Sequence, residues 1–399
     1  MIDFRVRIHV KPFPSQSLML IFAAETHRLN TRLRNATKTF GQFSMKGLLL
    51  AGGHGTRLRP LTYTGNKHML PIANKPMLMY GFEHLRSAGI REIGIVLGPL
   101  QEGIIEAFGD GSKFDVKITY IDQPDPRGIA HAVLISKKFL NGDSFVVYLG
   151  DNLLNESIPK LAEEFKDSAA DAMVVVSRVK DPSRFGVVKI QNEKIVKLVE
   201  KPKQFLSDLA LTGVYFLRPS IFPIIETLKP SWRNELEITE AIQGILEKGG
   251  KVTYHTVSGW WKDTGRPEDI LEANQLVLND LKNSIKGRVE DGVAVYGIVE
   301  IAKGTVVRTG ASIRGPVAIG ENSEIGEGAC VGPFTSIGSR VKVFRAEIEN
   351  SIVLDSAIID CKERIVDSII GKNSKIVSNL NNRPSGRRFV IGESTFVGL

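Results

Sequence analysis

Residues 48–58 place a glycine-rich loop and a cation directly after an apolar run. They read Leu-Leu-Leu-Ala-Gly-Gly-His-Gly-Thr-Arg-Leu, so a buried strand is predicted to end in the glycines, and Arg57 opens the next element. Backbone N–H groups that no side chain covers can approach a phosphate chain, and a cation beside them can reach the same oxygens. The segment therefore predicts a site for the phosphates of a nucleotide.

Two common glycine-loop patterns do not fit this segment. A Walker-type loop ends in Gly-Lys-Ser/Thr, whereas here Gly55 is followed by Thr56 and Arg57. A dinucleotide-binding fingerprint needs a third glycine where Leu58 stands. Both of these classes are therefore disfavoured. A tight strand-to-helix turn without a ligand is the alternative that the segment, taken alone, leaves open.

The elements that must position this loop alternate between strand-like and helix-like stretches from residue 45 to about 259. Strands are predicted at residues 46–50, 93–97, 117–121, 144–149, 172–176, 186–191 and 212–217. Helices are predicted at residues 77–88, 129–139, 158–166 and 237–247. This alternation predicts an α/β, Rossmann-like fold with a mostly parallel sheet and helices on both faces. Ligands of such sheets bind at the carboxyl ends of strands, where both the glycine loop and Asp151 fall.

The second half of the chain has a six-residue period. Aliphatic residues recur without a slip at Val295, Ile301, Val307, Ile313, Ile319, Ile325, Val331, Ile337 and Val343. This period is typical of a left-handed parallel β-helix, in which each coil packs its aliphatic side chains inward. The phase slips after residue 343, but the spacing returns at Ile352/Ile358, Ile359/Ile365, Ile370/Ile376 and Ile391/Val397. We expect the coils to continue past irregular loops.

Three segments follow from these patterns. Residues 1–44 match neither pattern, and residues 45–284 and 285–399 are predicted to form the α/β domain and the β-helix domain. Residues 263–281 join the two halves with an amphipathic helix pattern. Residues 18–24 are apolar and follow a few basic residues, as at the short limit of a signal-peptide core. We favour an upstream extension outside the fold, produced by a misplaced start codon.

Composition and charge exclude several classes of protein. The net charge of +8 is concentrated in residues 1–44, which carry +5, so the other 355 residues carry only +3. No basic run interleaved with aromatic residues marks a nucleic-acid surface, and no apolar run approaches the ~20 residues that span a bilayer. The two cysteines, Cys330 and Cys361, cannot form a disulfide framework or a zinc site. We therefore expect a cytoplasmic protein without nucleic-acid or membrane partners.

Ten motifs together resemble those of the sugar-1-phosphate nucleotidyltransferases. They are LAGGHGTRL (50–58), NKHMLP (66–71), NKPM (74–77), GIAHAV (128–133), LGDN (149–152), FGVV (185–188), EKP (200–202), TGVY (212–215), ELEIT (235–239) and WKDTG (261–265). The resemblance covers nearly all of residues 45–399 and is closest to the long-form glucose-1-phosphate thymidylyltransferases, which carry a C-terminal β-helix. Such enzymes join a nucleoside triphosphate to a sugar 1-phosphate and release pyrophosphate.

The resemblance assigns Mg²⁺ as the cofactor and two aspartates as its ligands. Asp151 and Asp263 would hold the ion, although an aspartate after a strand often only caps a turn. Arg57 and Lys67 would act as the catalytic cations on the triphosphate, and Lys201 would bind the phosphate of the sugar. An isolated cation is more often a solvated surface residue.

The resemblance also assigns the residues that contact the two substrates. The nucleotide-binding residues are Leu50, Ala51, Gly52, Gly53, Gly55, Thr56, Gln123 and Gly128. The residues on the sugar phosphate are Gly186, Glu200, Lys201, Thr212 and Glu235. Gln123 would bind the Watson–Crick edge of thymine or uracil, or else it serves the proline-containing loop that follows it. His68 and Phe185 depart from the family pattern, in which many members carry Gln and Tyr.

The resemblance implies that dTTP and glucose 1-phosphate react to dTDP-glucose, the entry to dTDP-rhamnose and related deoxysugars. UTP or N-acetylglucosamine 1-phosphate as substrates, or a non-catalytic scaffold that binds sugar nucleotides, are the alternatives. Many β-helix domains are acyltransferases that use a histidine base, but all seven histidines lie before residue 260. We therefore expect the β-helix to serve assembly or regulation, with the protein a homo-oligomer.

Overall fold

The computed structural model describes residues 45–378 and 394–398. The interpretation of residues 1–44 as an extension lies outside the described residues, and so does Ile391 of the last predicted β-helix pair. Among the helices of the described ranges, none has the length and apolar composition that crossing a bilayer requires.

The first half of the chain has a strand at each of the seven predicted positions. Its strands are β1 (Met45–Ala51), β2 (Pro71–Ile72), β3 (Lys75–Pro76), β4 (Glu92–Leu97), β5 (Lys117–Asp122), β6 (Ser144–Leu149), β7 (Asn152–Leu154), β8 (Ala172–Arg178), β9 (Gly186–Gln191), β10 (Lys194–Glu200), β11 (Leu209–Leu217), β12 (Val252–Thr256) and β13 (Trp261–Asp263).

The helices cover the predicted positions with one correction. They are α1 (Met77–Ser87), α2 (Glu102–Phe108), α3 (Ile129–Ile135), α4 (Lys137–Leu140), α5 (Ile158–Asp167), α6 (Phe222–Ile225), α7 (Ile238–Glu247) and α8 (Pro267–Asn279). The single helix predicted at residues 129–139 is wrong, because the helix breaks at Ser136. The Ser136 hydroxyl donates to Ala132 O (2.7 Å), a local bond of the kind that disturbs helices.

Nine strands form one mixed sheet in the order β10-β9-β11-β6-β1-β4-β5, with β8 pairing with β11 and β12 pairing with β8. Strands β6, β1, β4 and β5 are parallel, as predicted. Strand β11 runs antiparallel to β6, β8 and β9, whereas β12 is parallel to β8, so the other half of the sheet is mixed. Strands β9 and β10 are antiparallel because a tight hairpin turn joins them. Its residues Asn192 and Glu193 both have positive φ (50° and 60°), as such a turn requires.

Helices cover both faces of this sheet because successive residues of its central strand are apolar and point to opposite faces. Leu48 and Leu50 join a buried cluster with residues of α3, α6 and α7. Leu49 and Ala51 point to the opposite face and pack with residues of α1, α2 and α5. The central strand β1 is therefore buried from both sides, and only its ends can meet a ligand.

The second half is a left-handed parallel β-helix. Its strands are β14 (Ser284–Ile285), β15 (Arg288–Val289), β16 (Ala294–Tyr296), β17 (Val299–Ile301), β18 (Val306–Val307), β19 (Ser312–Arg314), β20 (Val317–Ile319), β21 (Glu324–Ile325), β22 (Cys330–Val331), β23 (Thr335–Ile337), β24 (Lys342–Phe344), β25 (Glu347–Glu349), β26 (Ile352–Val353), β27 (Ile358–Asp360), β28 (Arg364–Val366), β29 (Ile369–Ile370) and β30 (Lys375–Val377). Every third strand pairs in parallel, which gives three sheets.

The six-residue period sets the size of a coil. Ile301 pairs with Ile319, so one coil contains three hexapeptides, and the repeat aliphatics from residue 301 to residue 343 are fully buried inside it. After residue 343 the coil contains fewer residues, as the pairing of Val343 with Ile359 shows. The predicted continuation past this slip is confirmed as far as β30. Ile352 departs from the inward pattern and packs instead against the first half of the chain.

Candidate functional site

Predicted site residues follow three of the parallel strands at one edge of the mixed sheet. Strand β1 ends with Leu50 and Ala51 directly before the glycine loop, and Gln123 is the first residue after β5. Gly150 follows β6, donates its N–H to Leu50 O (2.9 Å) and precedes Asp151. Parallel pairing therefore brings the glycine loop, the glutamine and the aspartate to one edge.

The side chains of Gln123 and Lys67 pack closely against the glycine loop. A Cβ on Gly52 would lie 3.0 Å from Gln123 Oε1, and one on Gly53 would lie 3.1 Å from Lys67 Cε. Gly55 has a φ of +62°, a conformation that favours glycine. Side chains at these positions would push against the neighbouring polar groups, so the loop keeps its backbone uncovered.

A single 3-10 turn, Thr56–Leu58, carries the first predicted cation. The Thr62 hydroxyl donates to Gly55 O (2.7 Å) and closes the loop behind this turn. Leu58 is buried, whereas Arg57 is exposed. The turn therefore anchors one side chain in the interior and leaves the guanidinium available to an anion.

A second 3-10 turn, Lys67–Met69, carries the second cation. Asn66 caps this turn and donates from Nδ2 to Ala51 O (3.4 Å), which ties the turn to the end of β1. Lys67 Nζ forms a largely buried ion pair with Asp151 Oδ2. The structure thus brings together two residues that lie 84 positions apart.

The electrostatic surroundings keep Asp151 ionised. Burial alone raises the pKa of this carboxyl, but the charge of Lys67 and the hydrogen bonds from Lys67 and Asn152 outweigh it. The pKa of Asp151 therefore lies well below its usual range. An ionised carboxylate is the form that a metal cation binds.

Asp263 lies beside Asp151 because β13 pairs antiparallel with β7. This pairing sets Asp263 opposite Asn152, and the Thr264 N–H donates to Asp151 O (3.0 Å). Burial, and then the negative charge of Asp151, raise the pKa of Asp263 to about 6. Two carboxyl groups that disfavour each other's ionisation gain from a shared divalent cation.

Arg57 reaches the same place from the glycine loop. A Cβ on Gly265 would lie 3.2 Å from Arg57 Nη2 and 3.3 Å from Asp263 Oδ2, so both charged groups face one point. We call the four converging residues Arg57, Lys67, Asp151 and Asp263 the glycine-loop cluster. In the described residues, no group of three or more His, Cys, Asp or Glu side chains could hold a metal ion. Two hard carboxylates suit Mg²⁺, which keeps waters and takes phosphate oxygens as its other ligands.

Gln123 lies over the start of the glycine loop. Its Nε2 donates to Gly128 O (3.3 Å) and to His131 Nδ1 (2.9 Å), which turns its Oε1 toward Gly52. Gly128 has a φ of +98°, and a Cβ there would collide with the backbone oxygen of Leu236. The amide is therefore held by its nitrogen and presents a carbonyl acceptor to the loop.

A second charged group surrounds Arg233, a residue that the sequence analysis missed. Its guanidinium lies 3.4 Å from Glu200 Oε1, 2.8 Å from Glu235 Oε1 and 3.4 Å from Glu237 Oε1. We call these four residues the Arg233 cluster. Arg233 stands two residues before the predicted Glu235 in the same charged stretch, and this proximity is the only signal that could have marked it.

The carboxyl groups of the Arg233 cluster are harder to ionise than usual. Burial, followed by the charge of Glu237, raises the pKa of Glu200 despite the opposing charges of Lys201 and Arg233. Burial likewise raises the pKa of Glu235. One cation among three carboxyl groups does not fully compensate the cost of burying them.

Gly186 and Lys201 lie beside this cluster. A Cβ on Gly186 would lie 2.6 Å from Thr239 Cγ2 and 3.0 Å from Glu200 Oε2. Lys201 donates its N–H to Phe185 O (3.0 Å), and its Nζ lies 3.9 Å from Glu200 Oε1. The structure therefore groups Gly186, Glu200, Lys201 and Glu235, as predicted from the resemblance.

Thr212 differs from these predicted neighbours. It is fully buried, and its hydroxyl donates to Val175 O (3.0 Å) on β8. The pairing of β11 with β8 shifts register in this region, between Leu211 and Tyr215. The structure thus does not bring the Thr212 hydroxyl to the Arg233 cluster, and its predicted sugar contact stays a prediction.

Asn152 and Trp261, which lie in two of the motifs but received no role from the resemblance, link Asp151 to Phe185. Asn152 Nδ2 donates to Asp151 Oδ1 (2.9 Å), and Asn152 Oδ1 accepts a hydrogen bond from Trp261 Nε1 (2.7 Å). The Trp261 ring meets Phe185 edge to face at 5.1 Å. The contact of Trp261 with Asn152 has no signal in residue spacing, because it depends on the pairing of β7 with β13.

His68 occupies a buried position next to Lys67. Its Nδ1–H donates to Asn66 Oδ1 (2.6 Å), and a Cβ on Gly150 would lie 3.1 Å from its ring. Burial, and then the charge of Lys67, lower the pKa of His68 to about 3. This histidine is therefore neutral at physiological pH. Its role is structural, since it packs beside Lys67 and is held by its hydrogen bond to Asn66.

The chain is similar to known nucleotidyl transferases. The nucleotidyl transferase family matches residues 46–280, and the GMPPB C-terminal domain matches residues 313–397. The low-salt glycan biosynthesis nucleotidyltransferase Agl11 of Haloferax volcanii is 47% identical over 89% of this chain and 100% of its own length. A glucose-1-phosphate thymidylyltransferase of Streptomyces antibioticus is 43% identical over 89% of this chain and 99% of its own.

A solved structure is similar in fold to part of the chain. It is a Bacillus anthracis protein, assigned as a glucose-1-phosphate thymidylyltransferase and solved in complex with a sucrose. It is 41% identical, has a TM-score of 0.56, and covers 58% of this chain and 94% of its own.

Proposed function

The chain belongs to the nucleotidyl transferase family, and we propose that it condenses dTTP with glucose 1-phosphate to give dTDP-glucose and pyrophosphate. Nucleotidyl transfer is the activity that the family and these relatives share, and the name of the Streptomyces relative gives glucose 1-phosphate as its substrate. The choice of thymidine and of glucose is the finer part of the proposal.

The reaction needs placement and charge neutralisation more than it needs a base. An oxygen of the sugar 1-phosphate is already a nucleophile, and it attacks the α-phosphorus of the nucleotide while the bond to the bridging β-phosphate oxygen breaks. Pyrophosphate carries away the electron pair of that bond. Arg57 and Lys67, with the uncovered amides of the glycine loop, would neutralise the charge that develops on the α-phosphate.

Asp151 and Asp263 would hold the Mg²⁺ ion. The ion would supply positive charge against the phosphates of the nucleotide. The fit rests on the donor set, which consists of one carboxylate kept ionised and a second whose pKa the first one raises. Lys67, which pairs with Asp151 in this structure, is long enough to turn toward a bound phosphate.

The Arg233 cluster would bind the sugar phosphate. Lys201 and Arg233 provide two cations within reach of one phosphate, and Glu200 and Glu235 provide acceptors for sugar hydroxyl groups. Trp261 contacts both Asn152, which bonds to Asp151, and Phe185, the neighbour of Gly186, so we expect the two substrates to meet around this ring.

Gln123 would select the base. A carbonyl oxygen directed at the loop accepts a hydrogen bond from the N3–H of thymine or uracil, whereas cytosine has no hydrogen on N3. Thymine and uracil present the same edge to this oxygen. The preference for dTTP over UTP therefore rests on the Streptomyces relative, and UTP remains the second candidate.

The observation that carries the proposal is the glycine-loop cluster, in which two cations and two carboxyl groups from distant parts of the chain meet beside an uncovered backbone loop. A scaffold that only bound sugar nucleotides would not need the neighbouring carboxyl groups of Asp151 and Asp263, which disfavour each other's ionisation. The test is pyrophosphate release from dTTP, UTP, ATP, CTP and GTP with glucose 1-phosphate or N-acetylglucosamine 1-phosphate.

We expect the highest kcat/KM for dTTP with glucose 1-phosphate, and loss of turnover when EDTA removes the divalent ion. A higher kcat/KM for UTP would replace the thymidine assignment with the second candidate. Absence of pyrophosphate release from every pair, by protein that melts cooperatively, would favour the scaffold and end the transferase proposal.

A further inference from the structure

One face of the β-helix packs directly against the segment that carries Arg57 and Lys67. Ile352 and Leu354, at β26, belong to a buried apolar cluster with Leu58, Leu70 and Ile72. Ile369, on the next strand of the same sheet, packs against that cluster while half-buried. The β-helix thus supplies one wall of the apolar core beneath the glycine loop.

The anchors in this core are close in sequence to the cations. Leu58 directly follows Arg57 on a 3-10 turn of three residues, and Leu70 caps the turn that carries Lys67. A 3-10 turn is short and tight, so the buried residue and the cation beside it move together. The position of each cation therefore depends on what its apolar neighbour packs against.

The same face holds the helix that follows Asp263. Asn274 on α8 is fully buried, and its Oδ1 accepts hydrogen bonds from Ser336 Oγ (2.7 Å) and from the Ala73 N–H (2.8 Å). Its Nδ2 donates to Phe334 O (3.0 Å). One amide therefore joins α8, the loop between β2 and β3, and the β-helix, with its donor and acceptor both in use.

We propose that this face of the β-helix is a positioning surface for catalysis, which fixes Arg57 and Lys67 relative to Asp263. The inference rests on the proposed function, because it assigns the face a role in that reaction. Close-packed cores transmit displacement, and a reacting group misplaced by about 1 Å can lose about 10²-fold in rate. The β-helix residues touch no reacting group and act only through Leu58, Leu70 and α8.

Two pairs of isoleucines give a matched test. Ile352 and Ile348 are both 1% exposed, but Ile352 faces the cluster under the glycine loop and Ile348 faces the interior of the β-helix. Ile369 and Ile365 are both half-buried. Ile369 packs against the cluster under the glycine loop, and Ile365 packs against the interior of the β-helix. Each pair therefore matches residue type and burial, and differs in the core that an alanine substitution would empty.

The experiment measures kcat, and KM for each substrate, in full-length Ile352→Ala, Ile348→Ala, Ile369→Ala and Ile365→Ala. All are assayed at a temperature at which each variant is fully folded by circular dichroism. We expect Ile352→Ala to lower kcat/KM for the nucleotide about tenfold, and Ile369→Ala to lower it less. The KM for glucose 1-phosphate should change less than twofold, because the Arg233 cluster has no member in this core. Both interior variants should keep the wild-type kinetic constants.

Equal losses in the two members of each pair, or parallel changes in both KM values, would overturn the inference and leave the face a purely structural contact. If Ile352→Ala does not fold, the half-buried pair Ile369→Ala and Ile365→Ala decides by the same criterion. Wild-type protein that releases no pyrophosphate would instead refute the proposed function, and the inference with it. Direct nucleotide affinity, measured by calorimetry, must fall in the same variants that lose kcat/KM.

Discussion

The two charged clusters of the α/β half balance their charges differently. The glycine-loop cluster sets two cations against two carboxyl groups, and its closest contact is the buried ion pair of Lys67 with Asp151. The Arg233 cluster sets one guanidinium among three carboxyl groups, none closer than 2.8 Å. The first suits anionic phosphates and a metal ion, whereas the second can accept hydroxyl groups and still hold one phosphate.

This difference predicts which step of the reaction each cluster supports. Removing a charge from the glycine-loop cluster should impair the chemical step, because developing charge is neutralised there. Removing the cation of the Arg233 cluster should impair binding of one substrate and leave the other unaffected. Substitutions in the two clusters therefore test whether the site is divided in this way.

Asp151→Asn should have the largest effect. The amide cannot supply an anionic ligand, and it leaves Lys67 without its partner, so we expect kcat to fall by about 10³-fold or more. Pyrophosphate release under saturating substrates measures the loss. Asp122→Asn is the matched control, because Asp122 ends β5, another parallel strand of the same sheet, but is exposed. Full turnover in Asp151→Asn would remove this aspartate from the site.

Arg233→Met should mainly affect the sugar phosphate. The substitution keeps an extended side chain but removes the cation that contacts all three carboxyl groups. We expect KM for glucose 1-phosphate to rise about 10² -fold, since a charge-assisted contact is lost and carboxylate repulsion is unmasked. KM for the nucleotide should change little. Lys229→Met, an exposed cation shortly before Arg233 in the chain, should match wild type. Equal increases in both KM values would contradict the division between the clusters.

Sequence patterns predicted the fold well because both of its halves are periodic. The coil of the β-helix follows from the spacing of residues such as Ile301 and Ile319, and the parallel half of the sheet follows from short apolar runs. Strand β10 was missed because Lys194 and Lys197 interrupt its apolar pattern, and a register shift follows Ile195. Strand β12 was missed because only Val252 of its residues is buried.

The candidate site was predictable where a motif lies next to a strand end. Asp151 and the glycine loop belong to that class, since parallel strands bring their carboxyl ends together. Arg233, Asn152 and Trp261 do not, because their contacts depend on side-chain direction and on pairings across more than 30 residues. The role of the β-helix face was equally hidden, since Ile352 and Ile348 look alike in sequence.

Two buried groups, His68 beside the glycine-loop cluster and Glu200 in the Arg233 cluster, should respond to pH with opposite signs. The pKa of His68 is lowered from 6.5 to about 3, so its contribution to stability is present above pH 6.5 and is lost as the pH falls toward 3. The pKa of Glu200 is raised, so its contribution is present at low pH and is lost as the pH rises. Between pH 7 and pH 5, wild type should lose about 2 kcal/mol more unfolding free energy than His68→Gln.

Urea denaturation in the presence of EDTA at the two pH values measures this difference. The glutamine keeps a polar side chain but cannot titrate, so its stability should fall less steeply toward acid. Glu200→Gln is the companion variant and should instead flatten the loss of stability toward higher pH. Identical acid slopes for wild type and His68→Gln would show that this histidine is not held neutral in the folded protein.

Gln123→Ala gives the smallest effect and tests whether selectivity can be separated from both clusters. The amide belongs to neither cluster, yet its Oε1 lies over Gly52 at the start of the loop. Losing one acceptor should reduce the preference for dTTP over CTP by about tenfold, because discrimination by a single buried hydrogen bond is worth about 1–2 kcal/mol. kcat for dTTP should fall much less than in Asp151→Asn.

The ratio of kcat/KM values for dTTP and CTP, measured in competition, reports the change. Gln101→Ala, which removes an amide in the loop before α2, should leave that ratio unchanged. An unchanged ratio in Gln123→Ala would mean that the base is read elsewhere, and the division of the site into phosphate, sugar and base functions would have to be redrawn.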